Sequence, residues 1–277
     1  MKIVVHPTPE RFVARAGSWL DRAPAEHDLF FTICASLVAN PERVAGPVYL
    51  LTVEEAGMVV TAALETPGRK WVVSRSSLAA VRALVDFLRA RDWPVPGILG
   101  PAEIARVFAE RWCAAARGAA RPGRAQRIYE LRQLVPPTPV PGQARLAEPA
   151  EAETVTAWGR AFALDLRADE TPEETEEAAR WALADGRLHL WEDGAPVAMT
   201  IVRTARRRAG ISAVYTPPER RRRGYATALV AAVSARMLTA GAELCFLFTD
   251  LANPTSNNIY QRIGFRPVAD WADYFFD

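Results

Sequence analysis

Two stretches of this chain hold residue types at spacings that could do chemistry. The first is Arg221-Arg222-Arg223-Gly224-Tyr225-Ala226-Thr227, entered from Ile211-Ser212-Ala213-Val214-Tyr215-Thr216 through Pro217 and Pro218. An apolar strand runs out, two prolines stop it, and a basic loop opens an Ala/Val/Leu helix. Backbone N–H groups at a helix start lack intrahelical partners and carry the positive end of the macrodipole, which makes them a seat for phosphate. Gly224 removes the side chain where backbone must come close to a ligand, Ala226 keeps the next turn low, and the arginines add complementary charge. The second stretch is Asn253-Pro254-Thr255-Ser256-Asn257-Asn258-Ile259-Tyr260-Gln261-Arg262-Ile263-Gly264-Phe265. Asn253 suits a helix cap, Ile259 and Ile263 face a core one turn apart, and Gly264 is a left-handed stop. Tyr260 lies beside that stripe, where a phenol can edge into a cleft. Taken singly, the loop also reads as a solvated basic turn and Tyr260 as a boundary tyrosine.

The elements that must position these residues follow from periodicity. Residues 144–146 read as a strand, and 148–166 as a helix with Val155, Trp158, Phe162 and Leu166 at helical spacing. Thr171-Pro172-Glu173-Glu174 opens a second helix, with a threonine cap and proline in the first position. Residues 187–192 and 195–205 form a hairpin about Asp193-Gly194, and 210–216 is the next strand. A helix over 224–240, a wholly apolar strand over 244–249, a helix over 254–262 and strand over 265–276 complete the order. The first half repeats it in outline: strand 3–6, helices 10–20 and 26–39, hairpin 48–53 and 58–64, strand 70–73, helix 77–89, strand 97–99, helix 102–116 and strand 126–134. Between the halves, the four prolines of Val135-Pro136-Pro137-Thr138-Pro139-Val140-Pro141-Gly142 predict an extended linker. The expected domains are 1–134 and 143–277, joined by 135–142.

Composition narrows the function. A net charge of +2 is too near balance to argue for a nucleic-acid binder, and aromatic residues do not interleave with the arginines. Lys2 and Lys70 are the only lysines, and the Arg, Ala and Pro bias suggests a high-GC, bacterial gene. No apolar run approaches a membrane span, and the first residues lack a secretory pattern, so a cytoplasmic protein is expected. Cys34, Cys113 and Cys245 sit in apolar stretches and read as buried thiols, while His6, His27 and His189 are scattered, so no metal site is expected. The runs Arg206-Arg207-Arg208 and Arg220 to Arg223 read first as solvated turns.

Together the two chemical stretches resemble the GCN5-related N-acetyltransferase (GNAT) superfamily. Arg221, Gly224 and Ala226 match its Arg/Gln-x-x-Gly-x-Gly/Ala signature, after Val214 and Pro217. Asn253, Ser256, Ile259, Tyr260, Gly264 and Phe265 match its second pattern. The resemblance implies an α/β fold: two tandem acyl-CoA N-acyltransferase-like domains, each a mostly antiparallel mixed sheet flanked by helices, with a splayed central strand pair. It implies acetyl-coenzyme A (acetyl-CoA) as cofactor. Main-chain groups of Val214 and Thr216 would hold the pantetheine, and an N–H at Val214 or Tyr215 would polarise the thioester. The amides of Arg222, Arg223, Gly224, Tyr225, Ala226 and Thr227 would hold the pyrophosphate. Asn253 and Ser256 would touch the pantetheine or phosphate end, and Tyr260 would protonate the leaving thiolate. The acceptor would be a small-molecule or peptide amine attacking directly, and the protein a monomer or homodimer.

Two features depart from the pattern. Many members carry a glutamate on the strand before the signature loop, and 210–216 offers none; Asp250 and Glu192 are the substitutes. In the first half, Ser74-Arg75-Ser76-Ser77-Leu78 stands where the loop should be, without glycine. That half reads as a degenerate copy that has lost the pyrophosphate loop. A coenzyme A-binding scaffold without turnover is the alternative function.

Overall fold

A computed structural model describes residues 1–116, 118–166 and 170–276. The chain divides into two compact units: Met1–Ile128 with Asp250–Ala252 and Val268–Asp277, and Tyr129–Thr249 with Asn253–Pro267.

Unit 1 runs β1 (Lys2–Val5), α1 (Pro9–Leu20), α2 (Pro24–Ala39), β2 (Tyr49–Glu55), β3 (Met58–Glu65), β4 (Trp71–Val73), α3 (Leu78–Ala90), β5 (Gly97–Pro101), α4 (Ala102–Ala116) and most of β6 (Ala120–Leu131). Its helices start where side chains cap them. Thr8 accepts from Arg11 N before Pro9, and Ser77 accepts from Ala80 N. β1 to β4 pair antiparallel in sequence, and β4 pairs parallel with β5. The other side of β5 takes the end of the chain: β12 (Arg266–Phe276) pairs antiparallel with it, Trp271 opposite Pro101 through Phe275 opposite Gly97. Trp271 is fully buried there and its indole N–H donates to Glu26 at 3.3 Å. Asp273 is buried and paired with Lys70.

The strand expected to close the second half therefore pairs with the first. Its period-2 pattern fixes which faces are apolar but carries no information about which strand it meets.

Unit 2 contains β7 (Gln143–Leu146), α5 (Ala152–Leu166), α6 (Pro172–Ala184), β8 (Leu188–Glu192), β9 (Pro196–Ala205), β10 (Arg208–Tyr215), α7 (Tyr225–Thr239), β11 (Leu244–Asp250) and α8 (Pro254–Arg262). The order β7-β8-β9-β10 is antiparallel throughout, and β11 joins β10 in parallel. Thr171 and Glu174 form a reciprocal capping box ahead of α6. α7 packs one face of the sheet, with Leu229, Val230 and Val233 buried beside Val197, Val202, Ile211 and Leu247. α5 and α6 cover the other, where Val155, Ala179 and Ala182 meet Leu188, Leu190, Met199 and Ile201. Trp158 and Phe162 pack there as their spacing predicts, whereas the side chain of Leu166 lies outside the described residues. The proline-rich stretch forms no regular element; Leu134 and Val140 pack against the α7 core, and Pro141 O accepts from the Trp191 indole at 2.8 Å.

Two compositional expectations need correction. Cys34 and Cys245 are buried, but Cys113 is only partly so, because the surface of α4 that carries it is not fully covered. Arg206 and Arg207 do turn the β9–β10 hairpin at φ 46° and 60°, yet Arg208 is buried at 7 % exposure, since it already belongs to β10.

Candidate active site

The site begins where β10 and β11 part. Their parallel register runs from Arg208 opposite Leu244 to Ile211 opposite Leu247 and goes no further. β10 keeps its antiparallel partner β9 as far as Tyr215 opposite Met199, with a shift between Ser212 and Tyr215. Ala213 sits in that shift at φ 50°, a left-handed conformation that bends the strand. The bulge re-aims the main chain of Ala213 and Val214 just where the strand loses its β11 neighbour. Val214 packs against the same core that contains Tyr260.

Beyond β10 the chain turns through Pro217 and a short 3-10 turn at Pro218–Arg220. Arg222 and Gly224 follow at φ 65° and 85°, and Gly224 caps α7 with no side-chain hydrogen bond. Left-handed residues in this alternation make successive N–H groups converge, a concavity suited to an anion. Ala228 N already bonds Gly224 O at 2.9 Å, so the helical ladder begins there. The amides of Tyr225, Ala226 and Thr227 precede it and have no intrahelical acceptor. A Cβ added to Gly224 would meet Val140 Cγ1 at 3.0 Å.

The signature side chains divide in role. Arg221 donates through Nε to Thr216 O at 2.9 Å, pairs with Asp165 of α5, and lies over the Tyr215 ring, which packs on Trp158. Arg221 therefore braces the loop against the helix beside it. Arg222 and Arg223 are exposed at the mouth. Tyr225 turns inward and donates its hydroxyl to Asp193 at 2.5 Å, so only its main chain faces the loop.

In α8, Asn253 accepts from Ser256 N at 3.0 Å, and the Asn257 amide donates to Asn253 O at 2.7 Å. Asn257 and Gln261 clasp the Tyr129 hydroxyl at 3.0 and 2.9 Å, which fixes the helix on the sheet. Gly264, at φ 100°, stops it; a Cβ there would meet Gln133 O at 2.7 Å. Tyr260 is buried and edge-on to Phe265 at 5.9 Å. Burial pushes the phenol up to about 12, outweighing the opposing influence of Ser256, so it is neutral and a proton donor at physiological pH.

The two carboxylates expected as substitutes for the missing glutamate have partners of their own. Asp250 ends β11, accepts from Ala252 N at 2.7 Å, and groups with unit 1. Glu192 is held by Arg145 at 3.0 Å. Arg203, which the sequence reading passed over, bonds Ser212 beside the bulge at 2.9 Å. Its signal was present: Met199, Ile201 and Arg203 share one face of β9, so the arginine extends a buried stripe. No group of His, Cys, Asp and Glu among the described residues could hold a metal, and no helix among them is long and apolar enough to cross a membrane.

Unit 1 provides the contrast. Between β4 and α3 the helix start is capped by the Ser77 side chain, and Arg75 is tied to Glu26 at 2.5 Å. The start of α7 in unit 2 has no side-chain cap, whereas the start of α3 in unit 1 is capped by the protein's own oxygen.

Comparison with known proteins agrees with this geometry. The profile of the acetyltransferase (GNAT) family matches residues 155–265. No curated protein sequence matches the chain. Among solved structures, a Drosophila protein is similar with a TM-score of 0.69 at 13 % identity, covering 99 % of each chain. A GNAT-family acetyltransferase from Colwellia psychrerythraea gives 0.60 at 12 % identity over 100 % of both chains. A tandem GNAT protein from the clavulanic acid biosynthesis pathway gives 0.55 at 16 %, covering 99 % of this chain and 97 % of that one. At such identities the likeness speaks for the fold alone. Residues 155–265 match the GNAT family model, and over its length the chain has the fold of these solved structures, a tandem GNAT protein among them.

Proposed function

We propose that unit 2 is an N-acetyltransferase that draws on acetyl-CoA and acetylates a primary amine of a small molecule or peptide. The observation that carries this reading is a conjunction in one unit: a strand pair that parts after Ile211 and Leu247, and a helix start whose cap is a side-chain-free Gly224. The residues fit the cofactor, because the amides of Tyr225, Ala226 and Thr227 precede the helical ladder with no side-chain cap, and Arg222 and Arg223 stand exposed beside them. When bound, acetyl-CoA supplies an activated acyl thioester.

The chain's own groups do the rest. Amides from Arg222 to Thr227 hold the diphosphate, with Arg222 and Arg223 screening its charge. Main-chain groups of Val214, Tyr215 and Thr216 hold the pantetheine along the open edge of β10. The Val214 N–H would polarise the thioester carbonyl, where one such donor is worth on the order of 3 kcal/mol. Asn253 accepts from Ser256 N and so caps the start of the helix that carries Tyr260, and Tyr260 would protonate the departing sulfur.

Tyr260→Phe is expected to lower kcat about 100-fold with KM changed by less than about twofold, read by thiol release across an amine panel. The wild-type acid should impose no falling limb on kcat below about pH 11, because the phenol stays protonated up to about 12. An unchanged kcat would return Tyr260 to the role of a core residue.

The lack of a carboxylate among residues 208–215 favours one other reading, a scaffold that keeps coenzyme A without turnover. Acetyl-CoA binding without thiol release for any amine would support it.

A further inference from the structure

Arg203 is a site-adjacent side chain that the family pattern leaves unused. It lies on β9 opposite Gly210, partly buried, on the face shared with Ile201 and covered by α5 and α6. Its Nη1 donates to Ser212 Oγ at 2.9 Å, and Ser212 is the residue immediately before the left-handed Ala213. Ser212 is in turn fixed, its carbonyl accepting from Thr200 Oγ1 at 2.9 Å. The guanidinium is therefore held at the bulge, beside the point where β10 leaves β11.

What it lacks is a counter-charge. Among the described residues no carboxylate pairs with Arg203, and Ser212 is its side-chain partner. The neighbouring Arg187 is different: Asp185 accepts from its Nε at 3.2 Å and its Nη2 at 2.6 Å. Arg187 thus adds repulsion to Arg203 while its own charge is answered. Burial, with that repulsion second, lowers the Arg203 guanidinium to about 10, so it stays charged at neutral pH. A desolvated cation without an anion is unfavourable in the folded protein, and an incoming anion would relieve that cost.

Resting on the transferase reading above, we infer that the acceptor is an amine that also bears a carboxylate, which Arg203 binds edge-on while Ser212 holds Nη1. One serine bond leaves Nε and Nη2, the edge whose spacing matches the two oxygens of a carboxylate. The substrate class is that of amino acids or peptides with a nearby free carboxylate. The same arginine orients the amine toward the bulge from the face opposite α7.

Thermal melts test the anion site without cofactor or turnover. N-acetylglycine should raise the Tm of the wild-type protein in a dose-dependent way and N-acetylglycinamide should not. Arg203→Gln should respond to neither. This variant keeps an amide to bond Ser212 and sheds an uncompensated charge, so it should melt no lower than wild type.

In thiol-release assays with acetyl-CoA, glycine and phenylalanine should exceed their amides by at least about tenfold in kcat/KM. That ratio should collapse toward one in Arg203→Gln and partly return in Arg203→Lys. Equal Tm shifts for acid and amide, equal turnover, or an unaltered ratio in Arg203→Gln would each overturn the inference. So would a preference for phosphoethanolamine over glycine, or a variant melting well below wild type. Calorimetry with acetyl-CoA on the same samples separates the two levels. Cofactor binding without carboxylate preference defeats this inference alone, whereas absent cofactor binding defeats the transferase reading and leaves the melts to decide the anion site.

Discussion

Replacing Gly224 with aspartate is expected to weaken acetyl-CoA binding by about 100-fold or more, a loss of about 2.7 kcal/mol. Three effects act together. The position sits at φ 85°, where an L-residue costs about 1–2 kcal/mol. The new Cβ would stand 3.0 Å from Val140 Cγ1 and push the loop or the proline-rich stretch aside. The added carboxylate would also place a negative charge at the positive end of α7, close to the diphosphate, and turn attraction into repulsion. The melting temperature should fall by only a few degrees, since the backbone cost is small for a chain of this size. Gly224→Ala shares the first two effects without the charge and should fall between. Titration calorimetry on the three proteins reads the series, and equal affinities would mean that the loop does not hold the ligand.

Trp271→Ala is expected to destabilise unit 1 by about 3–5 kcal/mol, the range for emptying a buried tryptophan site. Trp271 is fully buried, opposite Pro101 in the β5–β12 pair, and its N–H donates to the buried Glu26. Truncation leaves a cavity and removes one of the donors that stabilise that carboxylate. The neighbouring contacts on β12, Asp273 with Lys70 and Phe276 stacked on Phe108 at 6.1 Å, would loosen with it. Urea unfolding followed by far-UV circular dichroism should show an earlier first transition, and a midpoint matching wild type would refute the role of β12 in this unit. Because the change lies outside unit 2, acetyl-CoA affinity measured in the absence of denaturant should hold.

Much of this molecule was legible because local rules decided it. Thr171 and Glu174 announced α6, Asn253 announced α8, and the alternation in 195–205 announced β9. Gly264 was readable as a left-handed position because it closes a helix in the sequence pattern itself, whereas Gly224 reads there as a close approach to a ligand and its φ of 85° does not show. What stayed hidden depends on contacts between distant residues. Nothing near Trp271 says that its strand lies against β5, and nothing near Arg203 says that Ser212 is its partner. The inward turn of Tyr225 toward Asp193 is hidden for the same reason: a tyrosine after glycine reads alike whether it faces ligand or core. The parting of β10 from β11 came into view through the resemblance, since residue types alone do not show where a parallel register ends.

The reading as a whole depends on a helix start that is open to a diphosphate. Titration of acetyl-CoA into the intact protein at about 50 and 200 mM salt tests it directly. The geometry predicts one site per chain, with affinity falling as salt rises because phosphate contacts with Arg222, Arg223 and the α7 dipole are screened. Absence of binding heat in the folded protein, or an affinity indifferent both to salt and to Gly224→Asp, would contradict it.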